Sequence, residues 1–107
     1  MTDSFIFGPT SQVLGTKDAP DLLTWLANSL EAGATLLLID LMDVRILESS
    51  GIGILMIAQN RARRAGARLV ICSLSEEAAV QIERAGLTEK FDICLNRDAF
   101  ERMLSSL

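Results

Sequence analysis

Residues 34–39 read Ala-Thr-Leu-Leu-Leu-Ile, a continuous apolar run without the polar–apolar alternation of a half-exposed strand. At six residues it is far too short to cross a bilayer. A strand can be apolar at successive positions only if both of its faces are covered, and the usual cover is a layer of helices on a parallel sheet. Arg68-Leu-Val-Ile-Cys72 repeats the pattern. Two such strands in a short chain require helices between and around them, and the rest of the sequence supplies the periodicity for these.

Helical spacing predicts a segment over about 18–32, with Asp18 at its N-cap, Pro20 in its first turn and Gly33 ending it. Leu23, Leu26 and Leu30 should face inward there, flanked by Leu22 and Trp25. A second helix is expected over about 50–65. A third, Glu76–Ala85, should be capped by Ser75, with acids at its positive end, and stopped by Gly86. A terminal helix over 98–107 would turn Phe100, Met103 and Leu104 inward. Ser4–Phe7 and Phe91–Leu95 complete the set of strands, while 12–15 reads as loop and 40–49 as a long turn. The expected fold is α/β, an open and largely parallel sheet of about four strands with about four helices. At 107 residues the chain fits one domain, 1–107.

Composition narrows the function. Half the residues are apolar and 22% charged, a globular balance, and the net charge of −4 does not favour a nucleic-acid partner. The one basic cluster, Arg61, Arg63 and Arg64, suits the C-terminal end of a helix. No basic stretch followed by an apolar one opens the chain, so a cytoplasmic protein without membrane insertion is expected. Cys72 and Cys94 each lie in an apolar run and read as reduced core residues. With no histidine and two isolated cysteines, neither a metal site nor a cofactor is expected.

The stretch richest in chemistry is Asp40-Leu-Met-Asp-Val-Arg-Ile-Leu-Glu-Ser-Ser-Gly-Ile-Gly, which sets two serines between an extended segment and a helix start. Amides at a helix start lack partners and carry the positive end of the dipole, so an anion on a serine there is partly stabilised. Gly51 and Gly53 keep the first turn slim for an approaching group. The commonplace role of a serine here is an N-cap, and Ser50 suits it. On a helical projection Gly51, Ile54, Leu55, Ala58, Ala62 and Ala65 share one side, and Ile52, Met56, Gln59 and Arg63 fall opposite, near Ser49. An exposed Ile and Met could form a docking strip, or be the isolated apolar residues that any surface carries.

Taken in order, Leu36–Leu41, Glu48-Ser-Ser-Gly-Ile-Gly53, Gly66–Ser73 and Ala85-Gly86-Leu87 with Phe91 resemble the STAS family, of the anti-sigma-factor-antagonist type. The resemblance implies a regulatory, non-enzymatic protein with no cofactor. It implies a partner that is both anti-sigma factor and serine protein kinase, and a PP2C-type phosphatase that reverses the modification. By motif position Ser49 is the phosphorylated residue and Ser50 the second choice. Glu48, Ser49, Ser50, Gly51, Ile52, Met56, Gln59 and Arg63 would then meet the partner. The family usually has Asp where this chain has Glu48, and the Asp of its Gly-x-Leu-Asp is missing at Gln12–Gly15.

Other readings carry less of the sequence. Without histidine a Ser-His-Asp triad is impossible, and Asp40, Asp43 and Glu48, imaginable as ligands or an acid–base pair, suit turns and caps. A receiver-like domain accepting phosphate on Asp40 would need acids after its first strand, where Phe5-Ile-Phe-Gly-Pro supplies none. A STAS module serving a transporter or a stress-sensing assembly carries the same motif.

Overall fold

The computed structural model describes residues 4–106. Four parallel strands lie in the order β1 (Ser4–Phe7), β3 (Leu36–Asp40), β5 (Arg68–Cys72) and β6 (Asp92–Cys94). Their connections run through helices α1 (Ala19–Glu31), α2 (Ser49–Arg64) and α3 (Glu76–Arg84), and α4 (Arg97–Ser105) follows the last strand. The predicted α/β fold with four sheet strands and four helices is the one observed. The expected end of the last helix at Leu107 lies outside the described residues.

The apolar strands are buried for the reason their composition demands. On one face, Leu37, Ile39, Leu69 and Ile71 pack with Leu22 and Leu26 of α1, Leu55 and Ala58 of α2, and Ala78 and Ile82 of α3. On the other face, Leu36, Leu38, Val70 and Cys72 pack with Phe100, Met103 and Leu104 of α4. Each large aliphatic side chain taken from water this way contributes about 1.5–3 kcal/mol. At the carboxyl ends of the strands, Asp40, Cys72 and Cys94 stand side by side in register. Burial pushes the Cys72 thiol up to about 11 and raises that of Cys94 as well. Cys94 is only half-buried, less deep than expected.

Several local expectations need correction. In α1 the buried stripe is Leu22, Leu26 and Ser29, while Leu23, Trp25 and Leu30 are half-buried. The helix is rotated because Trp25 packs its ring on Phe7 of β1, with centroids 5.3 Å apart. Asp18 stands at the start of α1 without capping it. Its carboxylate turns back to accept from the Gly15 amide (2.9 Å) and the Ser11 hydroxyl (2.7 Å), closing the turn that precedes the helix. Ser75 does cap α3, accepting from the Ala78 amide at 3.0 Å.

The presumed loop and long turn contain two further strands, β2 (Val13–Leu14) and β4 (Ile46–Leu47), paired in parallel away from the main sheet. The Gln12 carbonyl accepts from Arg45 and Ile46 amides, and the Leu14 carbonyl accepts from that of Glu48 at 2.9 Å. Two-residue strands are too short to show a period, so only the pairing reveals them. They tie the chain before α1 to the chain before α2.

Candidate functional site

The Ser49–Ser50 pair stands where β4 passes into α2. Glu48 is the N-cap, extended at φ −73° and ψ 162°, and its carbonyl accepts from the Ile52 amide at 3.0 Å. Ser49 and Ser50 are therefore the first two helical residues. Ser50 is not the cap, and no side chain caps this helix. The chain turns helical one residue sooner than the motif suggests because the Glu48 amide is already committed to Leu14. Ser49 is exposed and Ser50 half-buried, which separates the two hydroxyls by access.

Close packing fixes this helix start. Gly51 is buried, and a β-carbon there would overlap the Leu14 carbonyl. Its missing side chain thus admits the protein's own β2 segment, where the sequence suggested room for an outside group. A β-carbon at Gly15 would meet the Glu48 carboxylate, the movable end of a flexible side chain, so this contact is softer than the one at Gly51. Gly53 has open space around it.

From the other side α3 is stitched to β4. The Gln81 amide accepts from the Leu47 amide at 2.9 Å and donates back to the Leu47 carbonyl, standing in for a neighbouring strand. Six residues earlier, at the start of α3, the Ser75 hydroxyl donates to the Arg45 carbonyl at 2.6 Å. An open groove of about 670 Å³ results, with Glu48, Ser49, Ser50 and Ile52 on one wall and Gln81 and Arg84 on the other.

The expected exposed strip is redistributed. Ile52 and Met56 are half-buried and pack against the core, Gln59 is half-buried, and of the four only Arg63 is exposed. Helix α2 is flanked by α1 and β4 as well as the sheet, so its covered arc is wider than a one-sided projection allows. The residues in line with Ser49 on the solvent ridge are Gly53, Ile57, Asn60 and Arg64, with Ile57 43% exposed. Ala65, assigned to the core, is exposed just past the helix end. Arg84 and Gln81 belong to the site but carry no motif. Only the fold brings them beside residues more than thirty positions earlier.

Asp40 is 4% exposed at the end of β3 and already engaged. It accepts from the Met42 amide at 3.0 Å and from Arg97 Nε at 2.7 Å. A carboxylate held this way is poorly placed to receive a phosphoryl group, which removes the receiver-like alternative's main support.

The STAS domain family model matches residues 6–100. The chain belongs to the STAS family. No curated protein matches this STAS domain in sequence. Among solved structures it is similar to TM1081 of Thermotoga maritima, described as a candidate anti-sigma factor antagonist. The crystal structure of TM1081 gives a TM-score of 0.73 at 17% identity, covering 91% of this chain and 86% of that one. Its NMR structure gives 0.79 at 19% identity, covering 94% and 82%. The anti-sigma factor antagonist SpoIIAA, in its unphosphorylated form, gives 0.76 at 11% identity, covering 98% and 91%. These likenesses extend the STAS fold over nearly the whole chain. None of the described helices is long and apolar enough to cross a membrane.

Proposed function

We propose that this STAS domain is a phosphorylation-controlled protein-binding switch of the anti-sigma-factor-antagonist kind. With Ser49 unmodified it binds a partner that is both anti-sigma factor and serine kinase. That partner phosphorylates Ser49 and is then released, and a PP2C-type phosphatase restores the binding form. The observation that carries this reading is an exposed Ser49 at the first position of a helix that no side chain caps, beside a groove. Membership of the STAS family and the fold shared with SpoIIAA support it.

The partner surface is the solvent ridge of α2 from Ser49 to Arg64, with Arg63 beside it, Glu48, Ser50 and Ile52 at the groove, and Met56 and Gln59 half-buried further along the helix. Gly51 acts from beneath, by seating the helix start on Leu14. Phosphate brings about −1.5 to −2 charges into that contact. Glu48 already presents a carboxylate there, so repulsion and desolvation both oppose the docked state. Each ~1.4 kcal/mol lost is tenfold in affinity, so a few kcal/mol release the partner without any change of fold.

The test is capture of anti-sigma kinases from the source genome, with phosphate mapped by mass spectrometry. Ser49→Ala should stay bound and resist modification, and Ser49→Asp should bind at least tenfold more weakly. Equal capture by the two variants, with no kinase modifying Ser49, would overturn the reading.

A further inference from the structure

We infer that Arg84 is the cation that receives the phosphate of modified Ser49, so that phosphorylation closes an ion pair across the groove within the domain itself. This rests on Ser49 being the phosphorylated residue. The groove places Ser49 and Ser50 on one wall and Arg84 on the opposite one, and among the described residues Glu48 and Arg84 are its only charged lining. A phosphate arriving there meets one like charge and one opposite charge. Glu76 and Glu77, at the start of α3, line an adjoining hollow with Arg84. Even so, Arg84 forms no ion pair among the described residues.

The two walls are held at a set separation. Gln81 lies three residues before Arg84 on the same helix face, and its amide is bonded to both the N–H and the C=O of Leu47, two residues before Ser49. Arg84 is thus carried on a helix tied to the chain that leads into α2, and it lines the same groove as Ser49. A guanidinium offers paired donors that match phosphate oxygens, and the first amides of α2 offer donors from the other side. Neither local sequence contains this juxtaposition. Arg84 taken alone is simply a cation in the last turn of a helix, where it complements the dipole.

Because of that second role, stability does not test the assignment, whereas titration of the phosphate does. Phosphoserine is incorporated at position 49 of the full chain during translation, and its 31P shift is followed with pH in the wild-type, Arg84→Gln and Arg84→Lys backgrounds. A nearby cation favours the dianion, so the second phosphate pKa should be about half a pH unit higher in Arg84→Gln, with Arg84→Lys between the two. Amide spectra of the unphosphorylated variants establish that each is folded. Coincident titration curves for all three would overturn the assignment, as would equal shifts in Arg84→Lys and Arg84→Gln. This outcome is independent of the switch itself. If phosphoserine-49 protein still captured its partner undiminished, the proposed function would fall while the titration still reported on Arg84.

Discussion

Helices α2 and α3 end their preceding loops in opposite ways. At α3 the Ser75 hydroxyl accepts from the Ala78 amide, and Glu76 and Glu77 follow in the first turn, where acids meet the positive end of the dipole. Helix α4 repeats the device with Asn96, which accepts from the Ala99 amide at 2.9 Å, and with Asp98 behind it. Helix α2 has an N-cap with no side-chain bond and no acid in its first turn, although it is the longest helix described. Its start is held instead from outside, by Leu14 against Gly51 and by Gln81 on Leu47. Two helices are closed by their own sequence. Helix α2 is seated by packing and keeps its first amides free for a charge.

The packing that replaces a cap at α2 should be the most sensitive point of the comparison. Gly51→Ala gains about 1 kcal/mol of helix propensity. It also forces a methyl group into the Leu14 carbonyl, so β2 must leave β4 or the helix must shift. The net loss should be about 1–3 kcal/mol, at the upper end because the obstacle is backbone. Urea denaturation checks it. Gly53→Ala, two residues on and in open space, should change stability in the other direction by about 0.5–1 kcal/mol. Equal effects from the two substitutions would mean that Leu14 does not seat the helix.

A comparable loss is expected from raising the pH, and it concerns neither helix start. The Cys72 thiol is pushed up to about 11 by burial. Between its ordinary range and that value the unfolded chain loses the proton and the folded chain keeps it, so stability falls as pH rises. The contribution is intact below about pH 9, the ordinary thiol value, and is lost progressively up to about 11. Denaturation midpoints that decline across this window in the wild type, and decline less in Cys72→Ala, would match the assignment. Iodoacetamide should also leave native Cys72 unmodified near pH 8, because thiolate is the reactive form.

At the conventionally capped helix, Ser75→Ala removes both the bond from Ala78 and the tie to the Arg45 carbonyl, and should cost about 1–2 kcal/mol. Ser50→Ala, at the position where sequence expects a cap, should cost less than about 0.5 kcal/mol, since no capping bond exists to lose. A larger loss at Ser50 than at Ser75 would reverse the comparison.

These contrasts follow what could be read before the fold was known. Strands β3 and β5 were legible because unbroken apolar runs have few other uses, and α3 because Ser75, Glu76 and Glu77 state its start locally. The beginning of α2 is not legible to the residue because its N-cap, Glu48, is held by a backbone bond to Leu14, more than thirty positions away. The half-burial of Ile52 and Met56 is hidden for the same kind of reason, since their cover comes from neighbours that a single-helix projection omits. Ser49 was found through a motif, but Gln81 and Arg84 could not be. An isolated Gln and Arg in a third helix acquire meaning only from the parallel ladder and crossovers that bring α3 beside β4.

The smallest expected effect bears most directly on the uncapped start. Ser49→Asp adds a negative charge at the first position of α2, where dipole and free amides favour it by about 0.3–1 kcal/mol at low ionic strength. Glu48 lies one residue before and opposes it, so the gain should fall at the lower end of that range. Ser49→Lys should destabilise by a similar amount, and the difference between the two variants should shrink as salt is raised from low to molar concentration. The same pair of charges placed at Ala79, in the already satisfied first turns of α3, should differ less. If Asp and Lys at position 49 gave equal stabilities at low salt, α2 would offer no more to an anion than α3 does. The affinity of this helix start for phosphate would then have to come from Arg84 alone.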